Sequence, residues 1–166
     1  VNAHGGNDVI NLSAFPANPP SLTLNGGTGD DVINFNGHIT FAANANLNAD
    51  LQDDDPTPGV DALAIGANDN IIFTGAGTVT VKVSKQVSIG SNGSLETMNG
   101  DLTVDANQQA TPVTSVNFSG VLVDGGILRV NGSGLLTAKG RGGSNINSAN
   151  QGVAVVAGGK IQGGSA

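Results

Sequence analysis

Cysteine is absent from this chain, and so are tryptophan and tyrosine. Disulfides therefore cannot be the staple of the fold, and stacked strands must do that work instead. The flat indole and phenol platforms that carbohydrate sites commonly use are missing as well. Lysine and arginine do not occur in residues 1–81, which hold nine aspartates. Residues 82–166 hold six cations against Glu96, Asp101, Asp105 and Asp124. The first half is therefore −9, the second +2 and the whole −7. No basic stripe exists for a nucleic acid to follow. No apolar run approaches the ~18 residues of a membrane helix. No signal peptide is visible, and Val1 opens inside what reads as a degenerate repeat. The chain is therefore expected to be a piece of a longer one.

Helix-forming acid is scarce too: twelve of the thirteen acidic residues are aspartate, which favours turns. Glycine is 26 of 166 residues and asparagine is frequent, and both supply positive φ at tight corners. No window has a helical period. Short Val/Ile/Leu runs between these punctuators read as strands packed through small aliphatic side chains. Among them are Val9–Leu12, Leu22–Leu24, Val32–Phe35, Ala62–Ile65, Val79–Val83, Val116–Phe118, Val121–Val123 and Ile127–Val130. In Val79–Val83 strict alternation points the valines inward and Thr80 and Lys82 outward.

Two repeat textures are present. Gly26-Gly27-Thr28-Gly29-Asp30-Asp31-Val32-Ile33-Asn34 fits the nonapeptide G-G-x-G-x-D-x-U-x, where U is a large apolar residue. A partial copy, His4–Asn11, precedes it, and a weaker one, Gly66–Ile72, follows. Two nonapeptides would make a coil of 18 residues, and the Pro-rich segment Phe15–Pro20 would explain why Asp8 and Asp31 lie 23 apart. Further on, Ser119–Gly126 resembles Gln151–Gly159 at a shift of 32 to 33, with a fainter copy at Val87–Gly93. Three strands and three turns per coil suit that period. Residues 1–166 thus read as one segment: 1–81 acidic with nonapeptide turns, 82–166 in plain ~32-residue coils. The fold expected is all-β, a right-handed parallel β-helix. The loops at Asp50–Asp61, Asn107–Pro112 and Lys139–Gln151 are expected to lie between strands.

Gly26–Asn34 resembles the RTX, or haemolysin-type calcium-binding, repeat. Residues 87–166, with Gly-Val-x-Val followed by Gly-Gly, resemble the repeats of giant secreted β-solenoids and filamentous-haemagglutinin-like adhesins. The first resemblance implies calcium held between turns of adjacent coils. Gly26, Thr28 and Asp31 would supply ligands from one turn, Gly5 and Asp8 from the turn below, and Asp69 from the turn above. The alternative reading of the same residues is a set of β-turns in which aspartate accepts backbone N–H groups. The acidic cluster Asp53–Asp55 reads as a solvated loop.

The resemblances imply an extracellular, cell-surface chain. The expected function is a structural or adhesive segment of a secreted bacterial surface protein or fibre, stabilised by calcium. Its partners would be neighbouring coils or copies joined end to end, with surface glycans or proteins as further ones. No cofactor-binding motif and no catalytic constellation is seen, and His4 and His38 have no metal-ligand spacing. A polysaccharide-cleaving β-helix enzyme and a calcium-triggered folding or secretion segment are the alternatives.

Overall fold

The computed structural model describes residues 1–13, 15–52, 59–144 and 150–165. Every regular element among them is a short strand. The strands fall into coils. The first coil has β1 (Val9–Leu12) and β2 (Leu22–Asn25), and the second has β3 (Val32–Phe35), β4 (His38–Thr40) and β5 (Leu47–Leu51). Then come β6 (Ala62–Ile65), β7 (Asn70–Phe73) and β8 (Val79–Val83), followed by β9 (Gln86–Ile89), β10 (Ser94–Thr97) and β11 (Leu102–Ala106). The last are β12 (Val121–Asp124), β13 (Ile127–Val130) and β14 (Leu136–Gly140), then β15 (Val153–Val156) and β16 (Lys160–Gln162).

Three sheets result. The first orders β1-β3-β6-β9-β12-β15, the second β4-β7-β10-β13-β16 and the third β2-β5-β8-β11-β14. All the pairings are parallel. The chain visits the three sheets in rotation, an arrangement compatible with a parallel β-helix or solenoid.

Several expectations change in detail. The coil is not 18 residues: Val9 pairs with Val32, 23 positions on, and Ala62 with Gln86, 24 on. Those circuits turn around three sheets, and only in the first does the Pro-rich segment stand where a second-sheet strand would be. The longer period in the second half matches the pairing of Val87 with Val121 and of Val121 with Val153. Val116–Phe118 is not a strand but part of the loop 107–120. Asp50 and Leu51 complete β5, and Lys139 and Gly140 complete β14, so those two loops start later than expected. The cluster Asp53–Asp55 lies outside the described residues.

The length differences are concentrated at one corner, where the third sheet hands over to the first. Ser84 and Lys85 alone span it between β8 and β9 and the glycine turn 26–31 spans it between β2 and β3, whereas residues 52–61, 107–120 and 141–152 span it in the other three coils. The loops 107–120 and 141–152 bind each other: Gly143 N–H donates to Phe118 O at 3.1 Å and Ser144 N–H to Thr114 O at 3.2 Å. Buried Asn107 organises the first of these, accepting Val113 N–H at 2.7 Å and donating to Val113 O and Arg141 O. The opposite corner, from first to second sheet, is turned at positive φ by Asn68, Asn92, Gly125 and Ala157. Alanine is the odd member, since its Cβ crowds the left-handed region.

The interior is a continuous stack. Leu63, Val87 and Val121 are buried one above another in the first sheet, and Ile71, Leu95 and Leu128 in the second. Phe41 and Phe73 stack with centroids 4.2 Å apart, and Phe15 extends the column at 6.1 Å. In β8 the valines are buried and Thr80 and Lys82 point outward, as the alternation predicts.

On the outer faces, charges are laddered. In the third sheet, register places Asn25, Asp50, Lys82, Asp105 and Lys139 in one file. Lys82 Nζ lies 3.3 Å from Asp50, and Lys139 Nζ 3.9 Å from Asp105. On the second sheet, Glu96 accepts from Arg129 at 2.6 Å and from Asn131 at 2.9 Å. Burial pushes the Glu96 carboxyl up, but hydrogen bonds from Asn131, Arg129 and Ser94, with the Arg129 charge, outweigh it. The carboxyl is held below its ordinary value.

Because the folded-state value is depressed, the stabilisation from Glu96 is complete above the ordinary glutamate range and fades as pH falls through and below it. Glu96→Gln is expected to destabilise by about 1–3 kcal/mol at neutral pH. The gap to wild type should close in acid, as read from melting temperatures, and a pH-independent gap would refute this. Ala157→Gly is expected to raise the melting temperature by relieving a left-handed alanine, a strain of about 1 kcal/mol. No change or a fall would contradict it.

Candidate metal centre

The glycine turns stack as the nonapeptide spacing implies. Gly5 bridges Thr28 in parallel, Thr28 N–H donates to His4 O at 2.9 Å, and Gly6 N–H donates to Thr28 O at 2.8 Å. Gly27 and Gly29 have φ of 92° and 126°, and a Cβ on either would run into the His4 or Gly6 carbonyl oxygen. A Cβ on Gly26 would sit 2.5 Å from Asp31 Oδ2. The glycines are there to let one coil's backbone touch the next. In doing so, the turn carbonyls of His4 and Thr28 point along the stack to accept N–H groups.

Asp8 and Asp31 are brought together. Asp31 Oδ1 accepts Asp8 N–H at 2.9 Å. The file then continues through a residue the nonapeptide reading missed: Asp61 Oδ1 accepts Asp31 N–H at 2.7 Å. Asp61 N–H donates to Ser84 Oγ at 2.8 Å, and Ser84 Oγ–H lies 2.5 Å from both Asp61 Oδ2 and Gly59 O. Asp31 and Asp61 are 1% and 0% exposed, while Asp8 is half-buried and Thr28 exposed. A parallel file beside it runs through Asn7, Asp30 and Val60, with Asn7 Oδ1 accepting Asp30 N–H and Asp30 Oδ1 accepting Val60 N–H.

Asp69 is elsewhere. It sits at the corner between β6 and β7, where its Oδ1 accepts Gly37 N–H at 2.5 Å. The residue equivalent to Asp31 in the next coil is Asp61, not Asp69, because Val32 pairs with Ala62. The signal was present: Asp8, Asp31 and Asp61 each stand immediately before a first-sheet strand. The acidic, Pro-containing stretch ahead of Asp61 hid it.

No family model, curated protein or solved structure matches this chain. Its chemistry must be read from its own side chains.

The acceptors in the file are all oxygen, which is the chemistry of a hard cation such as calcium. Among the described residues, however, no group of three His, Asp or Glu side chains is placed to hold a metal. Asp31 Oδ1, Asp61 Oδ1 and Ser84 Oγ each accept a backbone N–H from the adjacent coil. The arrangement fits a ladder in which each polar side chain satisfies its neighbour's backbone.

Asp31→Asn keeps an acceptor for Asp8 N–H, whereas Asp31→Ala removes it. In chelator, the alanine variant is expected to lose about 1–3 kcal/mol by denaturant unfolding, and the asparagine variant clearly less. Equal losses would count against the ladder. A stabilisation by added calcium that wild type shows and Asp31→Ala lacks would assign an ion to this turn.

Proposed function

We propose that this chain is a structural or adhesive segment of a secreted bacterial surface protein or extracellular fibre, built as a right-handed parallel β-helix. The observation that carries this reading is the use of corner side chains. Asp31, Asp61 and Ser84 all serve the backbone of an adjacent coil or loop, so the buried polar groups are spent on stacking. The right hand is supported by the general twist of strands and by the crossover preference of parallel connections.

Calcium is the proposed counterion of the acidic first half, at the turns of Gly5, Asp8, Gly26, Thr28 and Asp31. Nine aspartates without a lysine or arginine in residues 1–81 favour a cation that binds only the folded coils. Burial of Asp31 and Asp61 suits scaffolding better than cleavage of a polysaccharide, which needs acids that reach the substrate. The proposed partner is a further coil, from the same chain or another copy. Val153 and Val155 are 39% and 45% exposed on β15, whereas their register partners Val121 and Val123 are fully buried. A coil laid on β15 would cover them.

Sedimentation velocity and electron microscopy, with calcium or with chelator, test the reading. End-to-end association that lengthens with concentration and is promoted by calcium is the expected result. A monomer at every concentration in both buffers, or turnover of a polysaccharide by that monomer, would replace this function with another.

A further inference from the structure

Asparagine followed by glycine is a chemically labile pair. With no Cβ on the second residue, the glycine nitrogen can reach the asparagine side-chain carbonyl and close a five-membered ring. The chain holds five such pairs, beginning at Asn25, Asn36, Asn92, Asn99 and Asn131, and one aspartate counterpart, Asp124-Gly125. The fold treats them unequally.

In five of the six, the glycine N–H is engaged. Gly26 N–H donates to Asp50 O at 3.1 Å, Gly93 N–H to Gly90 O at 2.9 Å, Gly125 N–H to Val156 O at 3.0 Å and Gly132 N–H to Met98 O at 2.6 Å. Gly37 N–H donates to Asp69 Oδ1 at 2.5 Å. Gly100 N–H alone donates to no acceptor among the described residues. Gly100 is pressed between coils, since a Cβ on it would lie 2.0 Å from Gly77 O, and one on Gly134 would lie 2.2 Å from Gly100 O. A buried backbone N–H without an acceptor is rare, and each one calls for an explanation.

The side chain before it is also distinctive. Asn99 is exposed, and its Oδ1 accepts Ser133 N–H at 3.4 Å, while its Nδ2 donates to no described residue. Asn131 differs, because its Nδ2 is tied to Glu96 Oε2 and Thr97 O. At Asn99-Gly100 the nitrogen that attacks has no hydrogen bond to forfeit and the amide that leaves is untethered. An N–H stands beside the oxygen on which negative charge grows during attack. From this juxtaposition we infer that Asn99-Gly100 is a self-modification site, where the folded chain deamidates faster than at its other Asn-Gly pairs. Water or hydroxide removes the Gly100 amide proton, and the nitrogen attacks Asn99 Cγ. The new N–Cγ bond replaces the Cγ–Nδ2 bond, and Nδ2 regains a proton from water and departs as ammonia. Water then opens the cyclic imide at either carbonyl, leaving aspartate or isoaspartate. The corner between β10 and β11, only residues 98–101, then gains a carboxylate two positions before Asp101. Isoaspartate also adds a main-chain carbon there. The reaction depends neither on calcium nor on association of copies.

Timed peptide mass spectrometry of the full chain, aged at mildly alkaline pH with and without urea, tests it. In the folded chain, Asn99 is expected to acquire the amide-to-acid mass change severalfold faster than Asn25, Asn36, Asn92 and Asn131. The product should be a mixture of aspartate and isoaspartate. In urea the five rates should converge, because the hydrogen bonds that protect four of the glycine nitrogens are gone. Asn99→Ser should remove the fast event and leave the other four rates in place. A folded-state rate at Asn99 no higher than at the other four would overturn the inference. A preference for Asn99 that persists undiminished in urea would overturn it too, because the local sequence and not the fold would then select the site. Aspartate formed without isoaspartate would rule out the imide step.

Discussion

Parallel pairing at a fixed register is the constraint on which the rest of this structure depends. A strand side chain alternates between core and solvent, so a slip of one residue would turn a whole coil inside out. Each circuit, whether it pairs Val9 with Val32 or Val87 with Val121, must therefore return in phase. The chain meets that demand by keeping two of its three corners short and letting one vary. Residues 52–61, 107–120 and 141–152 all fall at that corner. The corner ladders add a second lock, because a side chain that accepts its neighbour's N–H has one correct height in the stack.

The alternating charge file is a further register device. Asp50, Lys82, Asp105 and Lys139 meet unlike neighbours only in the observed order, and displacing one coil by a full rung would set like charges side by side. Each pair is partly exposed and worth little by itself. Its value lies in rejecting wrong stacks. The Glu96–Arg129 pair is more enclosed and is tied in by Asn131, so it contributes to holding two coils together.

Much of the fold was legible because the strands that face the core are built from alternating aliphatics. Val79–Val83 announced both its existence and its two faces. What escaped were strands with few large apolar residues. β5 reads Leu-Asn-Ala-Asp-Leu, and its Asp opens the loop expected at Asp50–Asp61, whereas the register places Asn48 and Asp50 outward on a strand. β10 reads Ser-Leu-Glu-Thr, with one large apolar residue, and owes its place to the strands on either side. Val116–Phe118 failed in the opposite sense: Phe118 is buried, but under a loop, with the Lys85 ammonium 5.9 Å from its ring centre. At the glycine turns the nonapeptide correctly aligned Asp8 with Asp31. It could not reveal Asp61, because the intervening circuit is 30 residues long and its corner sequence carries no glycine pattern.

The single variable corner also separates two kinds of change. A residue added within a strand or a short corner must be answered by every coil above it. A residue added between β11 and β12 lengthens a loop already standing outside the stack of strands. One flank of this molecule is therefore free to diverge in length and composition while the other two keep time. The long-loop flank is where unrelated peptide segments could be spliced in and displayed, side by side, on a rod whose pitch they do not disturb.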